Sequence, residues 1–287
     1  MKIEFYLQEH IPKISKEGKD KVRNFVRNKI NQIVNELGTD TSILDKIIFA
    51  DKERYGEAIS SIDENEDYTN SEYGAGFGKT IMQNGKSSII YKLEILNAIV
   101  TIGDKAELSK DEELPYYVLR HEIGHAIDNS LRNPEKLKSE ETFDERRISH
   151  FYIEVLISEF AANWNSTKQL SKVYFDELIS SKIDNIKNYL KDIKNIKLEM
   201  SYTLAQRKYG VADRVWLNLM EISQLLGVSI LQNYDFFFPE YLIEKSIQNK
   251  MKNVFTQISK TYPIIKEESK EELYFIWKEV YKKEYEI

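Results

Sequence analysis

The residues with the most obvious chemical capacity are His121, Glu122 and His125, in the run His121-Glu122-Ile123-Gly124-His125. Two histidines at i and i+4 of a helix are separated by only about 40° around the axis, so both imidazoles project from one face. Each can give a neutral ring nitrogen to a single metal ion, while the intervening glutamate reaches a water beside it. Zinc suits this donor set and brings the pKa of a water towards neutrality, with Glu122 as the proton acceptor. The plainer reading is a surface helix that happens to carry two histidines, and the chain has only 4 in all. There is no cysteine, which removes thiolate ligands, a cysteine nucleophile and disulfide staples together.

The element that must present these groups is a helix. Pro115 fits a first helical turn, Asp111-Glu112-Glu113 suits the positive end of the helix dipole, and Asn129 and Pro134 help to end it. Leu119, Ile123, Tyr116, Ile127 and Ala126 gather on the side away from the histidines. Asp128, one turn beyond His125, could accept the second ring N–H of a ligand histidine, or could simply supply polarity at the helix end. A catalytic zinc usually takes a third protein ligand. Leu131 stands where a metzincin would carry its third histidine, and the other histidines are His10 and His150. A carboxylate is therefore the natural candidate. Residues 150–164 read as a helix that is apolar nearly all round, with Glu159 among Tyr152, Val155 and Leu156. A glutamate so placed needs a partner, either a metal or an Arg or Tyr. Glu154 falls on a more polar side and reads as solvated, and His150 lies opposite Glu159.

His121-Glu122-Ile123-Gly124-His125-Ala126-Ile127-Asp128, followed by Glu159-Phe160-Ala161-Ala162-Asn163, resembles the gluzincin branch of the zincin metallopeptidases. Two subgroups are similar: the anthrax-lethal-factor-like peptidases and the intracellular peptidases that cleave repressors of phage and mobile elements. The resemblance covers residues 115–165. It implies that His121, His125 and Glu159 are zinc ligands and that Glu122 is the general base; Asn163, by its own placement, could steady Glu159 or simply cap the packing. The resemblance also implies that the strand before the zinc helix pairs with the substrate backbone, which would make Asn97–Ile102 an edge strand. Tyr202, Tyr209, Arg207, Arg214 and His150 are candidates for oxyanion stabilisation.

Around this centre, residues 2–7 alternate as a first strand, and residues 15–37 carry apolar side chains at helical spacing up to a stop at Gly38. Ile47-Ile48-Phe49-Ala50 is a short strand candidate. Residues 60–79 read as an extended loop with Gly74, Gly76 and Gly78. Gly78-Lys79-Thr80 does not complete a phosphate loop, because Tyr73 stands where a glycine is required. Residues 88–102 give the strongest strand signal, and helical periodicity dominates beyond residue 165. The expected class is α+β: a zincin-like mixed sheet with an active-site helix over 1–165, then a mainly helical region over 166–287. The composition is 41% hydrophobic and 31% charged, as in globular proteins. A net charge of −6 argues against nucleic acid or an anionic membrane as partner. The absence of a signal-peptide core or a membrane-length apolar run gives cytoplasmic as the expected location. The expected activity is zinc-dependent endopeptidase action on a protein or peptide substrate. The alternatives are a non-catalytic zincin-like protein-binding module and a host-targeted effector or toxin protease.

Overall fold

A computed structural model describes residues 1–7, 15–64, 77–102, 110–132, 145–167 and 171–285. His10, the glycines at 74 and 76, and most of the polar stretch 133–147 lie outside the described residues. The chain is mixed α and β, and it divides into two compact units: Met1–Asn133 with Asn165–Leu170, and Pro134–Trp164 with Ser171–Ile287.

The first unit holds a four-stranded sheet among the described residues, formed by β1 (Lys2–Tyr6), β2 (Leu44–Ala50), β3 (Gly78–Gln83) and β4 (Lys86–Lys92). The strand order is β1-β2-β4-β3, with β1 and β4 parallel to β2 and β3 antiparallel to β4. Parallel strands buried on both faces need apolar side chains in succession rather than in alternation. That is what Ile47-Ile48-Phe49-Ala50 and Ile89-Ile90-Tyr91 supply, and all of these are fully buried. On one face Ile3, Ile47, Phe49, Ile89 and Tyr91 pack with α1 (Lys16–Glu36), α3 (Leu93–Ile102) and α4 (Lys110–Arg132). On the other, Ile48, Ile81 and Ile90 pack with Tyr55, Ala58 and Ile59 of α2 (Tyr55–Ser60). Helix α1 begins at Ser15, whose hydroxyl accepts from the Gly18 N–H at 3.1 Å, and ends at Gly38, with φ of 76°. A left-handed residue just past the helix closes its last carbonyls, and glycine takes that conformation without strain.

Two expectations for the sheet are corrected. The segment Asn97–Ile102, expected as an edge strand, lies within helix α3, and pairing on β4 stops at Lys92. The buried side chains Ile95, Leu96 and Ile99 recur at i, i+1 and i+4, a helical face of which Ile95 alone also continues the alternation of Ile89, Tyr91 and Leu93. Among the described residues the edge strands are β1 and β3, and β3 begins at the end of the segment expected to be loop. Its hairpin with β4 turns through Asn84 (φ 52°) and Gly85 (φ 73°). Both central residues are left-handed, as in the two-residue turn that Asn-Gly favours.

The regular elements of the second unit among its described residues are all helices: α5 (Glu145–Ser166), α6 (Lys172–Leu198), α7 (Leu204–Gln232), α8 (Lys245–Thr261) and α9 (Glu267–Tyr285). Phe160 of α5 stacks on Phe255 of α8, and Trp216 of α7 lies between Tyr152 and Trp277. Thr203 and Gln206 form a reciprocal capping box at the start of α7. The buried carboxylate of Glu221 is met by Lys182 at 2.6 Å, Asn185 at 2.9 Å and Tyr189 at 3.3 Å. Among the described residues no helix is long and apolar enough to cross a membrane.

Burial raises the Tyr91 phenol well above its ordinary range, and Tyr152 and Tyr189 are also pushed up, by burial first and then by Asp213 and Glu221 respectively. Below about pH 10 these groups are protonated in both folded and unfolded chains; above it only the unfolded chain ionises, so stability falls as pH rises. A tyrosinate absorbance titration should show a fraction of the 18 tyrosines, these three among them, withheld from ionisation until helical circular dichroism is lost. Full ionisation in a chain of native helicity would contradict the burial.

In the first unit, Arg120 of α4 is 4% exposed; it donates to the Ser166 carbonyl at 2.7 Å and pairs with Glu36 at 3.0 Å. Arg120→Ala leaves that carbonyl without this donor and should cost about 2–3 kcal/mol in urea unfolding. A loss below about 0.5 kcal/mol, the scale of an ordinary surface change, would contradict the packing.

Candidate metal centre

Helix α4 is oriented by its apolar side. Leu119, Ile123, Ala126 and Ile127 are buried in the core that covers the sheet, and the Tyr91 hydroxyl donates to the Leu119 carbonyl at 2.8 Å. With that side fixed, His121 and His125 emerge together from another, both half-buried. Their Nε2 atoms are 3.1 Å apart and their rings meet edge to face, with centroids at 4.6 Å. The ring of Tyr117 stacks on His121 at 5.7 Å. Two nitrogens each about 2.0–2.1 Å from one tetrahedral ion lie about 3.3 Å from each other. The histidine pair is therefore close to a chelating separation, and the donor chemistry fits zinc.

Glu122 is 7% exposed and lies against β3, where the Thr80 Oγ1 is 2.7 Å from its Oε2 and 3.0 Å from its main-chain oxygen. Asp128 is fully buried, and both of its oxygens accept from Arg132 at 2.7 Å. Its charge is thus met by a forked guanidinium, a contact that spacing on one helix permits but does not by itself predict.

In the second unit, Glu159 is half-buried on α5, and its Oε2 accepts from Gln224 Nε2 of α7 at 2.7 Å. Gln224 was not foreseen, since its meeting with Glu159 depends on how α5 and α7 pack. The Asn163 side chain donates to the Glu159 carbonyl at 2.9 Å, so it supports the helix backbone at that point. Glu154 pairs with Lys270 at 2.8 Å, and His150 is exposed. Of the oxyanion candidates, Arg214 is engaged by Asp192 at 3.1 Å and by Asp213. Arg207 donates to the Tyr202 carbonyl at 3.2 Å, and Tyr209 hydrogen-bonds Tyr152. Tyr152 in turn donates to Asp213 at 2.5 Å.

No protein-family model, curated protein or solved structure matches the chain.

The seat of Glu159 depends on a close helix approach at Gly227. A Cβ there would lie 2.5 Å from the Phe160 carbonyl oxygen and 2.7 Å from the Asn163 Cβ. Alanine in a helix interior is ordinarily favoured over glycine by about 1 kcal/mol. Here Gly227→Ala should reverse that sign and destabilise by about 1–3 kcal/mol, because backbone atoms must move apart. Thermal or urea unfolding measures it, and a stabilised variant would refute the close approach.

Proposed function

We propose that the protein is a zinc-dependent endopeptidase of gluzincin type, with a zincin-like first unit, in which His121, His125 and Glu159 hold the metal and Glu122 is the general base. The observation that carries this reading is the convergence of the two imidazole nitrogens at 3.1 Å on one side of α4, with an anchored glutamate in the next position. The third donor proposed is the carboxylate of Glu159, an oxygen ligand of a kind that zinc accepts beside two imidazoles.

A bound zinc ion supplies Lewis acidity at a scissile carbonyl and eases deprotonation of water. The chain's own groups do the rest. His121 and His125 fix the ion's place on a helix that the core holds rigid. Gln224 donates to one oxygen of Glu159 and so would orient the carboxylate that is to serve as a ligand. Glu122 takes the proton of the attacking water and delivers it to the departing amine, which a single carboxylate can do in sequence. The outer edge of β3, a terminal strand of the sheet among the described residues, would offer main-chain donors and acceptors along which an extended peptide adds as a further strand. The substrate class is accordingly a protein or peptide segment in extended form.

Elemental analysis of purified protein should find one zinc per chain, retained in Glu122→Ala and lost in His121→Ala and His125→Ala. Glu159→Ala should weaken zinc binding far more than Glu154→Ala, and Gln224→Ala about tenfold, the effect of removing a group that orients a ligand. Cleavage of a diverse peptide library should vanish in Glu122→Ala. A chain that binds no stoichiometric zinc refutes the proposal. Zinc without Glu122-dependent cleavage would instead favour a protein-binding module built on the same scaffold.

A further inference from the structure

The Gly78-Lys79-Thr80 run lacks the spacing of a phosphate loop, yet two of its residues meet Glu122. A hydroxyl has one hydrogen to donate. The 2.7 Å contact from Thr80 Oγ1 to Glu122 Oε2 is shorter than the 3.0 Å contact to the main-chain oxygen. Its acceptor is also a carboxylate, so it is the stronger bond. Gly78 precedes Thr80 by two residues and therefore shares its face of β3. A Cβ at Gly78 would lie 2.6 Å from Glu122 Cγ and 3.0 Å from both Cδ and Oε1. Pairing with β4 holds both positions, Gly78 opposite Tyr91 and Thr80 opposite Ile89.

We infer that Gly78 and Thr80 are positioning residues that form a mould for the Glu122 side chain, glycine by leaving room and threonine by fixing Oε2. The inference rests on Glu122 acting as the base. A glutamate has several rotatable bonds, and a proton acceptor displaced by about 1 Å can lose on the order of a hundredfold in rate. The edge strand that would receive the substrate thus also sets the base that acts on it.

A double-mutant cycle in metal-free protein tests the contact without reference to activity. Thr80→Val and Glu122→Ala, alone and combined, should show a coupling of about tenfold in the unfolding constant; additive effects would overturn the contact. In the zinc-loaded enzyme, Thr80→Val and Gly78→Ala should each lower kcat about tenfold to a hundredfold with KM and zinc affinity nearly unchanged. Thr80→Ser, which keeps the hydroxyl, should restore most of the rate. Should Thr80→Val fail to fold, the Ser variant and Gly78→Ala still decide: a Thr80→Ser enzyme as slow as the general loss in Gly78→Ala would overturn the role of the hydroxyl. Unchanged kcat in both β3 variants, with Glu122-dependent cleavage intact, overturns this inference alone. Wild-type protein without Glu122-dependent cleavage overturns the peptidase reading as well.

Discussion

The burial of one side of α4 is the constraint on which the histidine geometry depends. Leu119, Ile123, Ala126 and Ile127 leave water against the sheet and the neighbouring helices, and each fully buried aliphatic side chain is worth roughly 1.5–3 kcal/mol. That drive sets the rotation of the helix about its axis. Once the rotation is set, His121 and His125 have no freedom to choose another direction. The polar anchors act on the same helix: Tyr91 on the Leu119 carbonyl, Arg120 between Glu36 and Ser166, and Thr80 on Glu122. Apolar packing decides which way α4 faces, and hydrogen bonds fix its position along the sheet.

Much of this was legible in the chain, and most of what was and was not legible has one cause. Periodicity reports which residues share a face of one element. It therefore revealed α1 with its Gly38 stop, the pairing of His121 with His125 on one side of α4, and the helical run after residue 165. It read Glu154 as solvated, whereas that carboxylate is half-buried and pairs with Lys270, a contact between helices. Periodicity says nothing of which faces meet. Thr80 against Glu122 and Gln224 against Glu159 are contacts between elements, and no spacing within either partner foretells them. The failure at Asn97–Ile102 is of another kind. Residues 89–95 satisfy a period of two, and the helix begins inside that pattern, at Leu93. Asn84-Gly85 was a readable hairpin signal, and with it β3 could have been placed at the edge.

The second unit shows how a helical assembly accommodates charge in its interior. Glu221 is 2% exposed but has a lysine, an amide and a phenol about it. Removing a carboxylate from water is costly unless such partners are present. Gln224, one turn along the same helix face, serves Glu159 in the same manner. Helix α7 thus carries one acid that α6 satisfies and the amide that engages another on α5, and Gly227 lets it come close to α5.

The exposed Asn84-Gly85 turn has a reach beyond its own residues. It contains two residues and no slack, so it dictates which residue of β3 stands opposite each residue of β4. Side chains on a strand alternate between faces, and a shift of one place would exchange every inward neighbour for an outward one. Gly78 and Thr80 would then turn away from α4, and Lys79 would turn towards it. By burial alone the turn looks like a tolerant place for an inserted residue. Measured by what it holds in register, it is a gauge block for the carboxylate of Glu122.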